Sequence, residues 1–248
     1  KNKMINNFPL TNIYEKPSNN SKLSSQMVYG EKFKIISKKN HWLKIKTDFD
    51  HYIGFIKKKN FLEKFQPTHK VFKKKTKIYT KNKNRFLPTK KFLYFASKIN
   101  PKKTEKKYVK YENNKWIKNC DIKKITHIEK NFSKILKSFI NTRYLWGGKS
   151  ANGIDCSALI QIFFYYNDRF FHRDTKDQIK NLKIIKNKNI YDKKKLIFWP
   201  GHVAYCLNKK FLIHAYGPKK KVLIMPIKKT IKLIKDTANL EVKKIISV

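Results

Sequence analysis

One cysteine and two histidines have the residue types and the order that thiol chemistry requires. Cys156 follows the glycine-rich stretch YLWGGKSANGID and opens the run CSALIQIFFYYN, which predicts a helix that begins at the cysteine. The positive end of the helix dipole stabilises a thiolate there. His202, in GHVAYCL, is predicted on a strand, and an imidazole beside a thiol can take its proton. His214, in KFLIHAYG on the next predicted strand, could orient His202 and fix its tautomer. The backbone N–H of Cys156 could line an oxyanion hole.

The elements that must position these side chains follow an α+β pattern from about Thr126 onward. HIEKNFSKILKSFINT predicts a helix with five apolar residues on one face, namely Phe132, Ile135, Leu136, Phe139 and Ile140. RDTKDQIKNL predicts a third helix with Thr175 as its N-cap. The apolar runs KLIFWPGHVAYCL, KFLIHAYG and KVLIMPI then predict antiparallel strands. Helices followed by such strands are typical of an α+β domain.

The N-terminal half is predicted to be all-β and duplicated. Residues 8–64 contain short alternating runs separated by turn residues, and residues 70–124 repeat the plan of charged stretch, apolar strand and Trp-bearing strand. The sequence therefore predicts three domains, with boundaries at 1–65, 66–125 and 126–248.

The charge of the chain is extreme but almost entirely due to lysine. Of its 60 basic residues only Arg85, Arg143, Arg169 and Arg173 are arginine, and the formal net charge is +44. Proteins that read nucleic acids favour arginine, whose planar fork binds bidentately. We therefore expect no specific nucleic-acid partner and only a non-specific attraction to polyanions.

The sequence shows no membrane or export signal. No run of 18 apolar residues occurs, so no transmembrane segment is predicted. The first 25 residues lack a signal-peptide pattern, although the chain begins at Lys1 rather than Met. Three widely spaced cysteines favour a reducing compartment. A cytoplasmic location is expected, with a periplasmic or secreted location as the alternative if a leader was removed.

The motifs around these residues resemble the NlpC-type (NlpC/P60) family of bacterial cell-wall cysteine peptidases, over residues 128–228. YLWGG is similar to the family's Tyr-x-Trp-Gly-Gly opening, GIDCSALIQ to its Asp-Cys-Ser-Gly-Leu motif, and HRDTKDQ to its Arg-Asp-Thr/Ser-x-x-Gln segment. LIFWPGHVAYCL and LIHA are similar to its two histidine strands. The sequence departs from the family at Ala158, where glycine is usual, and at Lys195, where an acidic residue is usual.

The resemblance implies a papain-like α+β catalytic domain with a Cys156, His202 and His214 triad and no cofactor. Tyr144 would assist the oxyanion site. VYGEKFKIISKKNHWLKIKT and HYIGFI resemble bacterial SH3-like domains, so that two small all-β SH3-like barrels would precede the peptidase. The order of domains resembles γ-D-glutamyl–diamino acid endopeptidases, which implies cleavage of murein (peptidoglycan) stem peptides.

The same resemblance implies a set of substrate-binding residues. Asp174 would anchor the substrate ammonium, and Ser157 and Thr175 the α-carboxylate of D-Glu. Trp146 would wall the cleft. The remaining members of the set are Asp155 beside the nucleophile and, from the first SH3-like module, Glu31 and Tyr52.

Three other interpretations stay open at this stage. A zinc site of Cys156, His202, Cys206 and His214 is conceivable, but the closely spaced ligand pairs typical of zinc sites are missing, so no metal is predicted. The SH3-like pair and the charge also fit a cell-wall-binding protein. Thioester chemistry equally supports amidase or acyltransferase activity.

Overall fold

A computed structural model describes residues 3–180, 191–192 and 194–248. The chain divides into two compact units, Lys1–Ile128 with Tyr166–Asp168, and Glu129–Tyr165 with Arg169–Val248. None of the helices in the described ranges has the length and apolar content needed to cross a membrane.

The first six strands of the N-terminal unit form one antiparallel sheet in the spatial order β1-β4-β5-β6-β2-β3. They are β1 (Lys3–Ile5), β2 (Leu10–Tyr14), β3 (Leu23–Val28), β4 (Lys32–Lys39), β5 (Trp42–Thr47) and β6 (Ile53–Lys57). Every second residue of β5 is buried, as the period of a strand dictates. The core of this sheet contains Ile13, Met27, Phe33, Leu43, Ile45, Ile56 and Phe61.

The rest of this unit contains two further antiparallel sheets, β10-β7-β14 and β11-β12-β13-β8-β9. The strands are β7 (His69–Val71), β8 (Lys75–Asn82), β9 (Arg85–Tyr94), β10 (Lys98–Ile99), β11 (Lys103–Glu105), β12 (Tyr108–Glu112), β13 (Lys115–Lys118) and β14 (Ile122–Lys124). The first sheet lies within the predicted 1–65 domain, and these two lie within 66–125. The division into two SH3-like barrels stays a prediction.

Among its described residues, the second unit contains four α-helices, a two-stranded sheet and a five-stranded antiparallel sheet of order β20-β19-β18-β17-β21. In chain order its elements are α1 (Phe132–Ser138), β15 (Lys149–Ser150), β16 (Gly153–Ile154), α2 (Cys156–Tyr166), α3 (Thr175–Gln178), β17 (Lys195–Trp199), β18 (His202–Cys206), β19 (Phe211–Tyr216), β20 (Lys221–Pro226), α4 (Ile227–Ala238) and β21 (Lys244–Ser247).

Apolar residues cover both faces of this sheet. On one face the ring of Phe132 in α1 stacks between Phe163 of α2 and Tyr205 of β18, with centroid distances of 4.1 and 4.6 Å. On the other face α4 contributes Ile227 and Ile234 to a separate buried cluster. The sheet is therefore held rigidly on both sides, as a strand-borne active-site residue requires.

The structure confirms the α+β pattern and corrects one detail of it. α1 and α2 lie where apolar periodicity predicts helices, and α2 begins at Cys156. The N-cap of α3 is Asp174 rather than Thr175, because the backbone of Asp174 is extended and its carbonyl accepts from the N–H groups of Asp177 and Gln178. The end of that predicted helix, at residues 181–182, lies outside the described residues. α4 and β21 were not predicted.

Candidate active site

Cys156 is held at the first turn of α2 by the residue before it. The Asp155 carboxylate accepts a hydrogen bond from the N–H of Ala158 at 2.8 Å, and the Asp155 carbonyl accepts from Leu159. This is the geometry of an N-cap aspartate, which satisfies N–H groups that have no partner within the helix. The sulfur is thereby fixed at the positive end of the helix dipole.

A buried ion pair locks this junction. Arg173, only 2% exposed, donates to both carboxylate oxygens of Asp155, at 3.0 and 2.6 Å. The N–H of Gly147 donates to the same carboxylate at 2.9 Å, and the hydroxyl of Ser157 donates to it at 3.1 Å. Arg173 also donates to Ser157 Oγ at 2.8 Å. These bonds join the glycine-rich loop, the start of α2 and the segment before α3 around the nucleophile.

Asp155 and Ser157 were predicted to contact substrate, and the structure gives both of them internal partners. Their side chains are buried and hydrogen-bonded to each other and to Arg173. Substrate contacts by these two residues stay a prediction. The role that the structure does show is the positioning of Cys156.

The two predicted histidines lie side by side on adjacent strands. His202 opens β18 after a turn at Gly201, whose φ of +72° lies in the region that favours glycine. Its Nε2 is 2.9 Å from Nδ1 of His214, which is fully buried in β19. The rings share a hydrogen bond, and Nδ1 is the nitrogen of His202 that does not face His214.

The thiol of Cys156 lies against the backbone on either side of His202. Sγ is 3.9 Å from the carbonyl oxygen of Gly201, and the N–H of Val203 also interacts with the sulfur. The start of α2 and the start of β18 therefore meet at the sulfur. This places the three residues of the predicted triad in one locality.

Burial favours the neutral forms of the thiol and of both imidazoles. Desolvation raises the pKa of Cys156 to about 12, assisted by the nearby Asp155 carboxylate and opposed by the Val203 and Ser157 N–H groups and by Arg173. Desolvation also lowers the pKa of His202 to about 4. The pKa of His214 is lowered first by burial and then by His202. From these neutral forms, a thiolate at Cys156 would require proton transfer to an imidazole.

Aromatic rings frame the histidine pair. Trp199 packs beside His202 at a centroid distance of 5.5 Å, and Tyr216 stacks on His214 at 4.9 Å with only 9° between the planes. Sequence reasoning gave no role to these rings or to Arg173. Arg173 had a visible signal, because arginine is rare in this lysine-rich chain.

Tyr144 and Trp146 lie in the loop that leads to the nucleophile. Burial raises the pKa of the Tyr144 phenol, and the charges of Cys156 and Asp155 act in the same direction. The Tyr144 hydroxyl therefore stays protonated and can donate a hydrogen bond. Trp146 is 61% exposed, so it is not a core residue.

Asp174 and Thr175 begin α3, directly after Arg173. The Asp174 side chain is half-buried and makes no capping hydrogen bond. Burial raises the pKa of its carboxyl, although Arg173 acts to lower it. Thr175 is half-buried beside it.

Glu31 and Tyr52 belong to the N-terminal unit. Glu31 is 2% exposed, and its carboxylate accepts from the N–H of Val28 at 3.1 Å. The hydroxyl of Tyr52 donates to the carbonyl of Ser24 at 3.4 Å. Both side chains stabilise their own sheet, and their contact with substrate stays a prediction.

The four residues of the zinc alternative do not form a metal-binding group. Across residues 3–180, 191–192 and 194–248 no three His, Cys, Asp or Glu side chains are arranged to hold a metal ion. Cys206 instead lies in the apolar cluster beneath α4, together with Ile197, Ala204 and Leu212.

Comparison with known proteins gives both units relatives. Residues 141–236 match the NlpC/P60 family, and residues 13–61 match the bacterial dipeptidyl-peptidase SH3 domain. The chain is 39% identical over 82 residues to dipeptidyl-peptidase 6 of Lysinibacillus sphaericus, which covers 32% of this chain and 29% of that protein. It is 24% identical over 176 residues to γ-D-glutamyl-L-lysine dipeptidyl-peptidase of Bacillus subtilis (strain 168), which covers 64% of this chain and 58% of that protein. Less than two thirds of each relative is therefore spanned.

A solved structure shares the fold over most of the chain. The crystal structure of an NlpC/P60 family protein from Bacillus cereus ATCC 10987 superposes with a TM-score of 0.76 at 17% identity, covering 91% of this chain and 94% of that one. A helix-borne cysteine beside a strand-borne histidine pair is an arrangement that can support nucleophilic thiol chemistry. Residues 141–236 therefore form a domain of the NlpC/P60 type, and residues 13–61 an SH3 domain of the bacterial dipeptidyl-peptidase type.

Proposed function

We propose that this protein is a cysteine peptidase that hydrolyses the γ-D-glutamyl–diamino acid bond of murein stem peptides carrying L-Ala-γ-D-Glu. The observation that supports the chemistry is the meeting of the Cys156 sulfur with the start of β18, where His202 is paired to His214. The similarity to the γ-D-glutamyl-L-lysine dipeptidyl-peptidase of Bacillus subtilis supports the choice of bond.

The reaction proceeds through a thioester. His202 takes the proton of Cys156 as the sulfur attacks the γ-carbonyl carbon of D-Glu, which forms the S–C bond and an oxyanion. The backbone N–H of Cys156 and the Tyr144 hydroxyl stabilise that oxyanion. The C–N bond then breaks, and the imidazolium of His202 gives its proton to the leaving amine. Water cleaves the thioester, which releases the γ-carboxylate and restores the thiol.

Asp174 is proposed as the residue that receives the free ammonium of L-Ala. A half-buried carboxylate with a raised pKa gains stability when a cation is placed beside it. Thr175 and Ser157 are proposed to bind the α-carboxylate of D-Glu, and the exposed indole of Trp146 to cover the peptide.

Mass spectrometry of products from defined tripeptides tests the bond. L-Ala-γ-D-Glu-diaminopimelate and its lysine analogue should each lose the free diamino acid, whereas the α-linked isomer should stay intact. Cleavage of the α-linked isomer at an equal rate, or release of L-Ala in place of the diamino acid, would rule out the proposed bond. Release of amide ammonia, or transfer of the acyl group to an added amine, would identify an amidase or an acyltransferase instead.

The role of Asp174 has its own experiment. Asp174→Asn should raise KM for the free tripeptide and have little effect on an N-acetylated one, because only the free peptide presents an ammonium. Asp177→Asn is a matched control from the same helix, where Asp177 pairs with Lys180 at 3.2 Å. Equal losses on both peptides would contradict the assignment.

A further inference from the structure

The buried thioether of Met225 lies at the far end of the histidine pair. Met225 Sδ is 3.4 Å from Nε2 of His214, and Met225 is only 9% exposed. In the register of β19 and β20, Leu223 faces His214, and Met225 lies two residues further along on the same face of the sheet. Its unbranched side chain reaches along that face to the imidazole.

The contact between Met225 and His214 decides which nitrogen of each histidine ring donates a hydrogen bond and which accepts one. A thioether sulfur has no proton to give and can only accept. If Nε2 of His214 were unprotonated, two acceptors would face each other in a site that excludes water. The favourable arrangement has Nε2–H of His214 donating to Met225 Sδ, which leaves Nδ1 of His214 as an acceptor.

The consequence passes through His214 to His202. Since His214 Nδ1 accepts, the proton in the 2.9 Å bond between the rings belongs to Nε2 of His202. A neutral imidazole carries only one ring proton, so Nδ1 of His202 then holds a lone pair. That is the tautomer in which His202 can act as a base toward Cys156. In the opposite tautomer Nδ1 of His202 carries the ring proton. That nitrogen then has no lone pair with which to accept the proton of Cys156.

We propose that Met225 is a positioning residue that fixes the basic tautomer of His202 through His214. This inference rests on the proposed thiol hydrolysis, in which His202 is the base. The sulfur acts through hydrogen-bond polarity, because a leucine of similar volume would fill the same space without accepting a proton. Burial of His214 strengthens the effect, since no water is available to replace the lost acceptor.

The test compares Met225→Leu and Met225→Gln with the wild-type chain, with Met27→Leu as a control for a buried methionine elsewhere. Nitrogen-15 NMR of the histidine rings reports the tautomers, and the rate of alkylation of Cys156 by iodoacetamide reports how readily His202 takes the thiol proton.

We expect Nε2–H on both rings in the wild type. Met225→Leu should give mixed tautomers and lower kcat and the alkylation rate roughly three- to tenfold at unchanged KM. Met225→Gln, whose amide oxygen can accept, should recover part of the loss.

The inference is overturned if wild-type His214 carries its proton on Nδ1, or if Met225→Leu leaves the tautomers and the alkylation rate unchanged. Equal effects of Met225→Leu and Met27→Leu would also overturn it, because that result would indicate packing alone. Neither the NMR measurement nor the alkylation uses a murein peptide. Failure to cleave such peptides, with the tautomers as expected, would therefore count against the proposed substrate and leave the role of Met225 standing.

Discussion

Two buried cysteines in the same unit, Cys156 and Cys206, differ in the groups that surround them. Cys156 is 5% exposed and Cys206 is fully buried, and desolvation raises the pKa of both to about 12. Burial therefore does not distinguish them. Cys156 lies at a helix start, among N–H groups and beside the histidine pair, whereas Cys206 lies within an apolar cluster. The reactivity proposed for Cys156 therefore depends on the polar groups arranged around it.

The largest difference between variants of Cys156 and variants of Cys206 is expected in the rate of hydrolysis. Cys156→Ala should lower hydrolysis of the γ-linked tripeptide by at least about 10³-fold, because no thioester can form. Cys206→Ala should stay within about twofold of wild type, since Cys206 lies in a buried core cluster and has no part in the proposed reaction. The measurement is kcat/KM by product mass spectrometry. Comparable losses of kcat/KM in the two variants would mean that Cys156 and Cys206 do not differ in their role in the reaction.

The buried Arg173–Asp155 ion pair beside Cys156 should contribute strongly to the free energy of unfolding of this unit. Arg173→Ala leaves the buried carboxylate of Asp155 without its cation and should cost about 3–5 kcal/mol in the free energy of unfolding. Arg173→Lys should recover only part, since lysine cannot make the bidentate fork. Urea unfolding measures this difference. Arg143→Ala, at an exposed arginine, is the matched control, and a loss at Arg173 no larger than at Arg143 would refute the ion-pair lock.

The sequence predicts the order of these groups along the chain but not the distances between them in the folded protein. The positions of Cys156, His202 and His214 follow from a glycine-rich loop, a helical pattern and two apolar strands, all of which are local signals. The Arg173–Asp155 pair and the Met225 contact depend on strand register and on packing between elements far apart in sequence. No local pattern encodes those distances.

Two other differences from the sequence expectations have local causes. α4 was not predicted although its buried residues, Ile227, Thr230 and Ile234, recur at helical spacing, because the many lysines between them obscure the apolar face. The N-cap of α3 was misplaced by one residue, since Asp174 and Thr175 are adjacent and both favour that position.

The histidine pair should make the unit that holds it acid-sensitive. The folded-state pKa of His202 is about 4, below its ordinary value near 6.5, so between these values the unfolded chain binds a proton that the folded chain does not. Stability is therefore complete above about pH 6.5 and falls as the pH is lowered toward 4. For His202 alone the loss between pH 7 and pH 5 is roughly 2 kcal/mol, and the lowered pKa of His214 acts in the same direction.

Urea unfolding at several pH values measures this dependence. His202→Asn should flatten the curve between pH 7 and pH 5, whereas Cys206→Ala should keep the wild-type slope because it leaves both imidazoles in place. His41→Asn, at an exposed histidine, is a second control. An unchanged slope in His202→Asn would contradict the assigned burial of the imidazole.

The smallest expected effect is the change in the free energy of unfolding when Cys206 is replaced by alanine or serine. Cys206→Ala removes one buried sulfur and should cost about 1–2 kcal/mol in the free energy of unfolding. Cys206→Ser places a hydroxyl among Ile197, Ala204 and Leu212 and should cost about 1 kcal/mol more, because these three apolar side chains offer it no hydrogen bond. At Cys156 the order should reverse, since a serine hydroxyl there meets the carbonyl of Gly201 and the N–H of Val203. Thermal unfolding of the four variants gives both comparisons, and the same preference for alanine at both positions would mean that the surroundings of the two thiols are alike in polarity.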